Sequence, residues 1–344
     1  MVPLSVKLQA IGNNGNAAEV ALGAIKRRGR RDFVRSDSID LSSNHHPPAN
    51  EVERHLQGIA VQNDEVYLTT SENDGQLIRA RKANNVTNKP RYTFSREPVG
   101  PAGHTLHPGG IQAIGSYLAV PVYGNSISEI QFRDLTGVNM PCKNSVPIVE
   151  WKPYCVGITD RIDGNGRPYY LMVVGIDDDG TRFAFYSTQG TPGVDLAEHG
   201  CVFKHTNVVS VDKVGGGLGY ANGVSLITDS GWASSFLGFK RRPRNVIGRR
   251  FDGGLLSGDD VDLYSVEEVG GEVQLKFAAN YRYKCPVVLA LPGYGPSFRW
   301  GASATVSSDR VITLYACGRH VEYASSNTEA QYWVQMAVFS PFVD

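Results

Sequence analysis

The chain has 344 residues, 41% hydrophobic and 20% charged, enough for one large domain or two ordinary ones. Its 34 Lys and Arg balance 34 Asp and Glu, which excludes the global basic field of a protein that gathers nucleic acid or anionic membrane. No run of about 18 apolar residues is present, so no membrane span is expected. The opening "MVPLSVKLQAIGNNGNAAEV" lacks the basic start and apolar centre of a secretory signal. The expected setting is therefore soluble, either cytoplasmic or secreted with a leader already removed.

Residues 16 to 31, "NAAEVALGAIKRRGRR", predict a short peripheral helix. Ala, Glu, Leu and Lys favour helix, Asn16 can cap it, and basic residues stand at its C-terminal end. From residue 32 onward the pattern changes to short apolar strands separated by Gly, Asp and Asn turns, which is all-β patterning and calls for a repeat search. A Gly followed by an aliphatic residue recurs at Gly58, Gly110, Gly157, Gly217, Gly254 and Gly301, at intervals of 52, 47, 60, 37 and 47 residues. Further strands follow in most copies, such as "EVYLTTS", "SYLAVPVY", "PYYLMVVG" and "RVITLYACG". The fifth copy is irregular, with "DDVDLYSVEE" between its Gly and the next strand.

Strand-only units of nearly 50 residues predict a β-propeller. A small sheet cannot bury both faces alone, so copies stack around an axis. Each innermost strand crowds that axis, and Gly permits the close approach. Six copies predict six blades over residues 32–344, preceded by an N-terminal extension, 1–31, that carries the helix. The segment "DFVRSDSIDLSS" (32 to 43) has no blade of its own. It is expected to pair with "YWVQMAVFSPF" (332 to 342) and close the ring, which protects the edges an open ring would leave.

In this periodicity the chain resembles six-bladed propellers of the broad group that includes strictosidine-synthase-like, senescence-marker-protein-like and NHL-repeat proteins. The resemblance covers roughly residues 32 to 344 and is architectural. It implies a ligand site at the mouth of the central channel, although fold alone does not give function.

Three residues before each repeat Gly stand His55, His107, Tyr154, Val214, Phe251 and Phe298. In the six-fold alignment these share one rim. His55 and His107 could act as general acid and base or hold a divalent metal, with Tyr154 orienting a substrate. Phe251 and Phe298 occupy the same slot without chemistry, so a layer of packing groups is the competing expectation. Gln57, His104, Gln112 and Arg299 are candidate ligand-binding neighbours, and Trp300 is a candidate stacking platform. The expected function is a hydrolase or lyase acting on a small organic or glycan substrate at the channel mouth. The alternatives are a non-catalytic, lectin-like module and a protein-interaction scaffold, with no preference for an oligomeric state.

Other motifs point to structure first. "TDRIDGNGRP" (159 to 168) and "GIDDDGTRF" (175 to 183) read as hairpins, since neither keeps the D-x-D-x-D-G spacing of a calcium loop. In senescence-marker-like propellers a catalytic calcium is held near the axis by acidic and amide groups. The rim slots here carry His, Tyr and Phe instead. "GGGLGYANG" (215 to 223) lacks the Lys-Ser/Thr ending of a phosphate loop. The basic run "FKRRPRNVIGRR" (239 to 250) is expected to be a solvated edge with anti-aggregation charge, or a docking patch for an acidic partner. Five Cys without a CxxC pair predict buried thiols rather than a metal or disulfide framework.

Overall fold

The computed structural model describes residues 7, 17–25, 29–36, 51–53, 56–71, 75–82, 92–101, 106–124, 126–177, 180–190, 195–197, 201–211, 221–231, 233–242, 244–246, 249–251, 258–285, 296–307, 309–325 and 330–341. Helix α1 (Ala17–Ala24) is shorter than expected, and the chain is already extended in β1 (Arg30–Ser36). Arg30 and Arg31, which the sequence pattern assigned to the helix end, lie in that strand. β2 (Glu51–Glu53) follows.

Among the described residues the larger sheets number five, not six, and each is a propeller blade. The first is β3 (Leu56–Gln62), β4 (Glu65–Thr70), β5 (Gln76–Lys82) and β6 (Tyr92–Pro98). In the second, β7 (His107–Pro108) and β8 (Gln112–Ile114) both pair with β9 (Tyr117–Gly124), followed by β10 (Ile127–Asp134) and β11 (Cys142–Pro147). The third is β12 (Cys155–Ile162), β13 (Pro168–Gly175), β14 (Arg182–Ser187) and β15 (Lys204–Ser210). The fourth begins with β16 (Ala221–Thr228) and β17 (Ser234–Arg242). The chain then leaves through a two-stranded ribbon, β18 (Arg244–Val246) and β19 (Arg249–Phe251), and returns as β20 (Gly258–Val269) and β21 (Glu272–Tyr283). The fifth is β22 (Ala302–Val306), β23 (Ile312–Ser325) and β24 (Ala330–Phe339), completed by β1, with β2 on the far end of β23.

The sixth repeat unit was a miscount. β17 pairs directly with β20, Phe236 opposite Tyr264 and Lys240 opposite Asp260, so "DDVDLYSVEE" is the third strand of the fourth blade. Gly254, taken as the start of a blade, lies outside the described residues, in the stretch of sequence between β19 and β20. Phe251, assigned to the rim, lies in the ribbon strand β19. Gly217 and Val214 lie outside the described residues. The close approach expected of Gly217 is made by Gly223, where a Cβ would stand 2.5 Å from the Ala302 carbonyl oxygen.

Ring closure follows the expected pairing, shifted slightly toward the N-terminus. β1 runs antiparallel to β24 from Arg30 opposite Val338 to Ser36 opposite Tyr332. The inner strands β3, β8, β12, β16 and β22 are neighbours in chain order, and β22 returns to β3.

Alternation along each strand sends one set of side chains to each neighbouring blade. Val66 and Leu68 pack toward Val334 and Met336 of the fifth blade. Tyr67, between them in sequence, joins Leu118 and Val120 of the second. Helix α1 covers the seam between the fourth and fifth blades. Leu22 is fully buried among Phe239, Tyr283 and Phe298, while the Tyr281 hydroxyl donates to the Glu19 carbonyl at 2.9 Å. The helix is thus part of the core rather than a peripheral appendage.

At the axis the backbones touch. A Cβ at Gly58 would stand 2.6 Å from the Gly109 carbonyl oxygen and 2.8 Å from the Thr69 hydroxyl. Gln112 fills the remaining space. Its Oε1 accepts from Ile158 N at 3.0 Å and Leu226 N at 2.9 Å, and its Nε2 donates to Leu226 O at 2.9 Å. One side chain therefore joins three blades. Gln112→Ala strands two buried N–H groups and a carbonyl, each worth about 1–3 kcal/mol when orphaned. Urea unfolding should show a loss of about 3 kcal/mol or more, and an unchanged midpoint would refute the clasp.

The hairpin readings hold. Asp163 Oδ1 accepts from Asn165 N at 2.8 Å and Arg167 N at 2.9 Å. Asp177 accepts from Thr181 N at 2.9 Å and Arg182 N at 3.2 Å. Both are turns closed by an Asx side chain. Cys155, Cys201 and Cys317 are buried, whereas Cys142 is exposed and Cys285 half-buried.

Candidate functional site

Of the residues assigned to the rim, His107, Tyr154 and Phe298 are described just ahead of inner strands β8, β12 and β22. His55 and His104 fall outside the described residues, as do His45, His46 and His199. His107, at the start of β7, is half-buried with its ring 5.3 Å from that of Tyr123. Tyr154 packs inward. Its backbone N donates to Gly175 O at 3.1 Å and its O accepts from Gly110 N at 2.9 Å. Its ring lies against Gly175 at the edge of the core between the third and fourth blades. Phe298 is fully buried, with the Phe339 and Phe239 rings at 5.7 and 5.2 Å. For Tyr154 and Phe298 the geometry is that of a packing layer.

Gln57 is exposed, its Nε2 3.4 Å from the Ser71 hydroxyl. The Gln112 amide makes the axial clasp. Trp300 lies between two cations, with the Arg299 and Arg319 guanidinium carbons 4.8 and 5.0 Å from its ring. Its indole body packs on the core between the first and fifth blades. Nε1 is buried without an acceptor among the described residues.

An open cavity of about 80 Å³ lies at the opposite, C-terminal ends of the inner strands. All five blades contribute: Gln62, the turn from Gln112 to Gly115, Ile158 and Thr159, Leu226 to Thr228, and Ala304 to Val306. Hydroxyl and amide groups alternate with aliphatic ones around it. The Thr159 and Thr228 hydroxyls are 2.8 Å apart, and Thr228 is 2.9 Å from the Ser234 hydroxyl. Thr305 donates to Val61 O at 3.0 Å and Gln62 Nε2 to Gly115 O at 3.2 Å. The Thr159–Thr228, Thr305–Val61 and Gln62–Gly115 bonds cross between blades and hold the wall in place.

Beside the cavity stands a charged group. Asp160, next to Thr159 on β12, is fully buried, and Lys7 Nζ reaches its Oδ1 at 2.5 Å and its carbonyl O at 2.9 Å. Burial pulls the Lys7 ammonium below its ordinary range, against the opposing attraction of Asp160. Tyr170 lies opposite Asp160 in the β12–β13 ladder. Burial pushes its phenol up, and the Asp195 and Asp160 carboxylates push it in the same direction. Arg161 and Tyr169 both donate to Glu268 Oε1, at 2.6 and 2.7 Å, which ties the third blade to the fourth.

The sequence reading missed this end of the axis. No repeat signal marks it: Thr159 follows Gly157 by two, Thr228 follows Gly223 by five, and Thr305 follows Gly301 by four. Among the described residues no three His, Cys, Asp or Glu side chains group as metal ligands. No described helix is long and apolar enough to cross a membrane.

No family model matches the chain, and no curated protein matches it. Among solved structures, an endo-arabinase from Bacteroides thetaiotaomicron is similar at 10% identity, covering 85% of this chain and 94% of its own, with a TM-score of 0.37. An exo-1,5-alpha-L-arabinanase from a bovine ruminal metagenomic library is similar at 12% identity, covering 86% and 96%, with a TM-score of 0.36. The PQQ-bound aldose sugar dehydrogenase of Streptomyces coelicolor is similar at 12% identity, covering 84% and 81%, with a TM-score of 0.32. The propeller assignment rests on the strand pairing.

Proposed function

We propose that the protein is a glycan-acting propeller that receives the end of a sugar chain in the axial cavity formed by Gln62, Thr159, Thr228 and Thr305. The observation that carries this reading is the cavity wall, in which fixed hydroxyl and amide groups from five blades alternate with Ile158, Leu226 and Ala304. A sugar presents the same alternation of hydroxyls and C–H faces. At about 80 Å³ the cavity is below the roughly 300–1,000 Å³ of sites that enclose a drug-sized ligand. It suits one terminal residue or a hydroxymethyl arm, with the rest of the chain in solvent. Titration calorimetry against mono- and oligosaccharides tests this. Thr228→Val should weaken binding about tenfold, the loss of roughly one hydrogen bond to the ligand. Equal binding by the variant, or no binding by any sugar, would overturn the reading.

The half-exposed imidazole of His107 supports a second proposal, acid–base chemistry at the opposite rim with His55 as its partner and a divalent metal as an optional occupant. On that reading His107→Ala should lower turnover of a glycan or small organic substrate by about 10²–10⁴-fold, with Tm unchanged. Full activity in the variant would remove His107 from the mechanism.

A further inference from the structure

We propose that the axial cavity selects a free, uncharged hydroxyl at the end of a sugar, offering it one donor and one lone-pair acceptor from fixed threonines. The inference rests on the reading of the cavity as a sugar site and names what that site takes. Thr159, Thr228 and Ser234 form a chain of hydroxyls, with neighbouring oxygens 2.8 and 2.9 Å apart. Each hydroxyl brings one proton, so the two bonds of the chain leave one proton over. Thr159 and Thr228 line the cavity, whereas Ser234 does not. Ser234 is 3% exposed, and among the described residues its hydroxyl meets only that of Thr228. A chain that ran toward Ser234 would end on a buried O–H with no acceptor, which is the costly arrangement. Ser234 therefore donates to Thr228, and the proton left over sits on Thr159 or Thr228, where the cavity can use it.

On the fifth blade the balance is reversed. Thr305 also lines the cavity, but its one proton is spent on Val61 O at 3.0 Å. Its oxygen meets a ligand only with lone pairs. The wall thus presents a donor from the third and fourth blades and an acceptor from the fifth. An alcohol answers both, because its O–H donates while its oxygen accepts. An ether oxygen accepts but cannot donate, so it leaves Thr305 without a partner. A carboxylate fails in the same way and also carries charge. None of the described lining residues is ionisable, so a carboxylate would give up its water there without gaining a cation. The ligand class is a neutral sugar end whose hydroxyl is unmodified. Ends that are O-methylated or oxidised to a uronic acid are refused.

The test follows the threonine methyl signals of the full chain by NMR during titration with three small probes: ethylene glycol, 1,2-dimethoxyethane and sodium glycolate, with sodium chloride as the ionic control. Ethylene glycol should move the Thr159, Thr228 and Thr305 signals, with a Kd about tenfold or more below those of the ether and the anion, the worth of roughly one hydrogen bond. Thr305→Val, which removes the acceptor, should bring the diol and the ether to within about threefold of one another. Thr305→Ser should keep the tenfold preference. Thr159→Val/Thr228→Val, which removes the donor, should weaken diol and ether alike and leave their ratio unchanged. The wild-type ratios decide the matter alone if a variant does not fold. Equal binding of the three probes, or a preference untouched by Thr305→Val, would overturn the hydroxyl selection. If a sugar of the calorimetric panel binds but the diol is not preferred, the hydroxyl selection falls while the sugar reading stands. If the diol is preferred and no sugar binds, the sugar reading falls while the hydroxyl selection stands.

Discussion

Gly109→Ala is expected to be among the most damaging single-methyl additions in the protein, at about 3 kcal/mol or more, the upper end of the cost of overpacking. A Cβ at this position would overlap the Tyr154 carbonyl group directly. That carbonyl accepts from Gly110 N at 2.9 Å, and Val156 N donates to Gly110 O at 3.0 Å. These two bonds join the inner strand of the second blade to that of the third. Neither can survive a shift large enough to admit the methyl group. Gly164→Ala is the control, because a Cβ there meets nothing within 4 Å. Denaturant midpoints should fall sharply for Gly109→Ala and hardly move for Gly164→Ala. Equal midpoints would show that the axis is looser than the backbone contacts imply.

Lys240→Met carries the second large effect. Lys240 is the start of the basic run, yet its side chain is only 3% exposed and its Nζ lies 2.6 Å from Oδ2 of the fully buried Asp262. Asn280 Nδ2 donates to the other carboxylate oxygen at 2.5 Å. Asp260, two residues away on the same strand, is also fully buried. Methionine would preserve most of the stem but leave the Asp262 carboxylate without its cation in a dry sheet. Removing one partner of such a pair costs about 3–5 kcal/mol. Lys240→Met/Asp262→Leu should recover much of that loss, because the desolvated charge is gone. A double variant no better than the single would show that the pair itself, not the stranded charge, holds the blade. The run that read as a solvated edge is thus partly interior: β20 presents Asp259 and Asp260 opposite Arg241 and Lys240.

The propeller was legible because its cause is local. Gly-aliphatic pairs mark where backbones touch at the axis, and alternation marks the faces that meet between blades. The number of blades was not, because the excursion that holds β18 and β19 carries its own Gly254-Leu255 pair. Two signs in the sequence argued against counting it: the 37-residue interval and the missing hairpin strand. The basic run misled for a different reason. Charge alone does not say whether a strand of opposite charge lies beside it, and here that strand stands across the ribbon. The cavity was hidden because it has no motif. Its wall takes one to three residues from each of several strands, every one separated from the next by a whole blade. The Lys7–Asp160 contact spans 153 residues and leaves no local trace.

Closing the ring with the first strand has a consequence for synthesis. β1 is made early, but its partner β24 begins only at Ala330. At roughly 5–20 residues per second the interval is on the order of 15–60 s, during which a strand with an open edge waits on the ribosome. Its sequence, "RRDFVRS", places charges at four of seven positions, which is the composition that discourages pairing with a stranger. The latch that completes the fifth blade is therefore also a timer: that blade cannot form before the chain has been synthesised through Phe339.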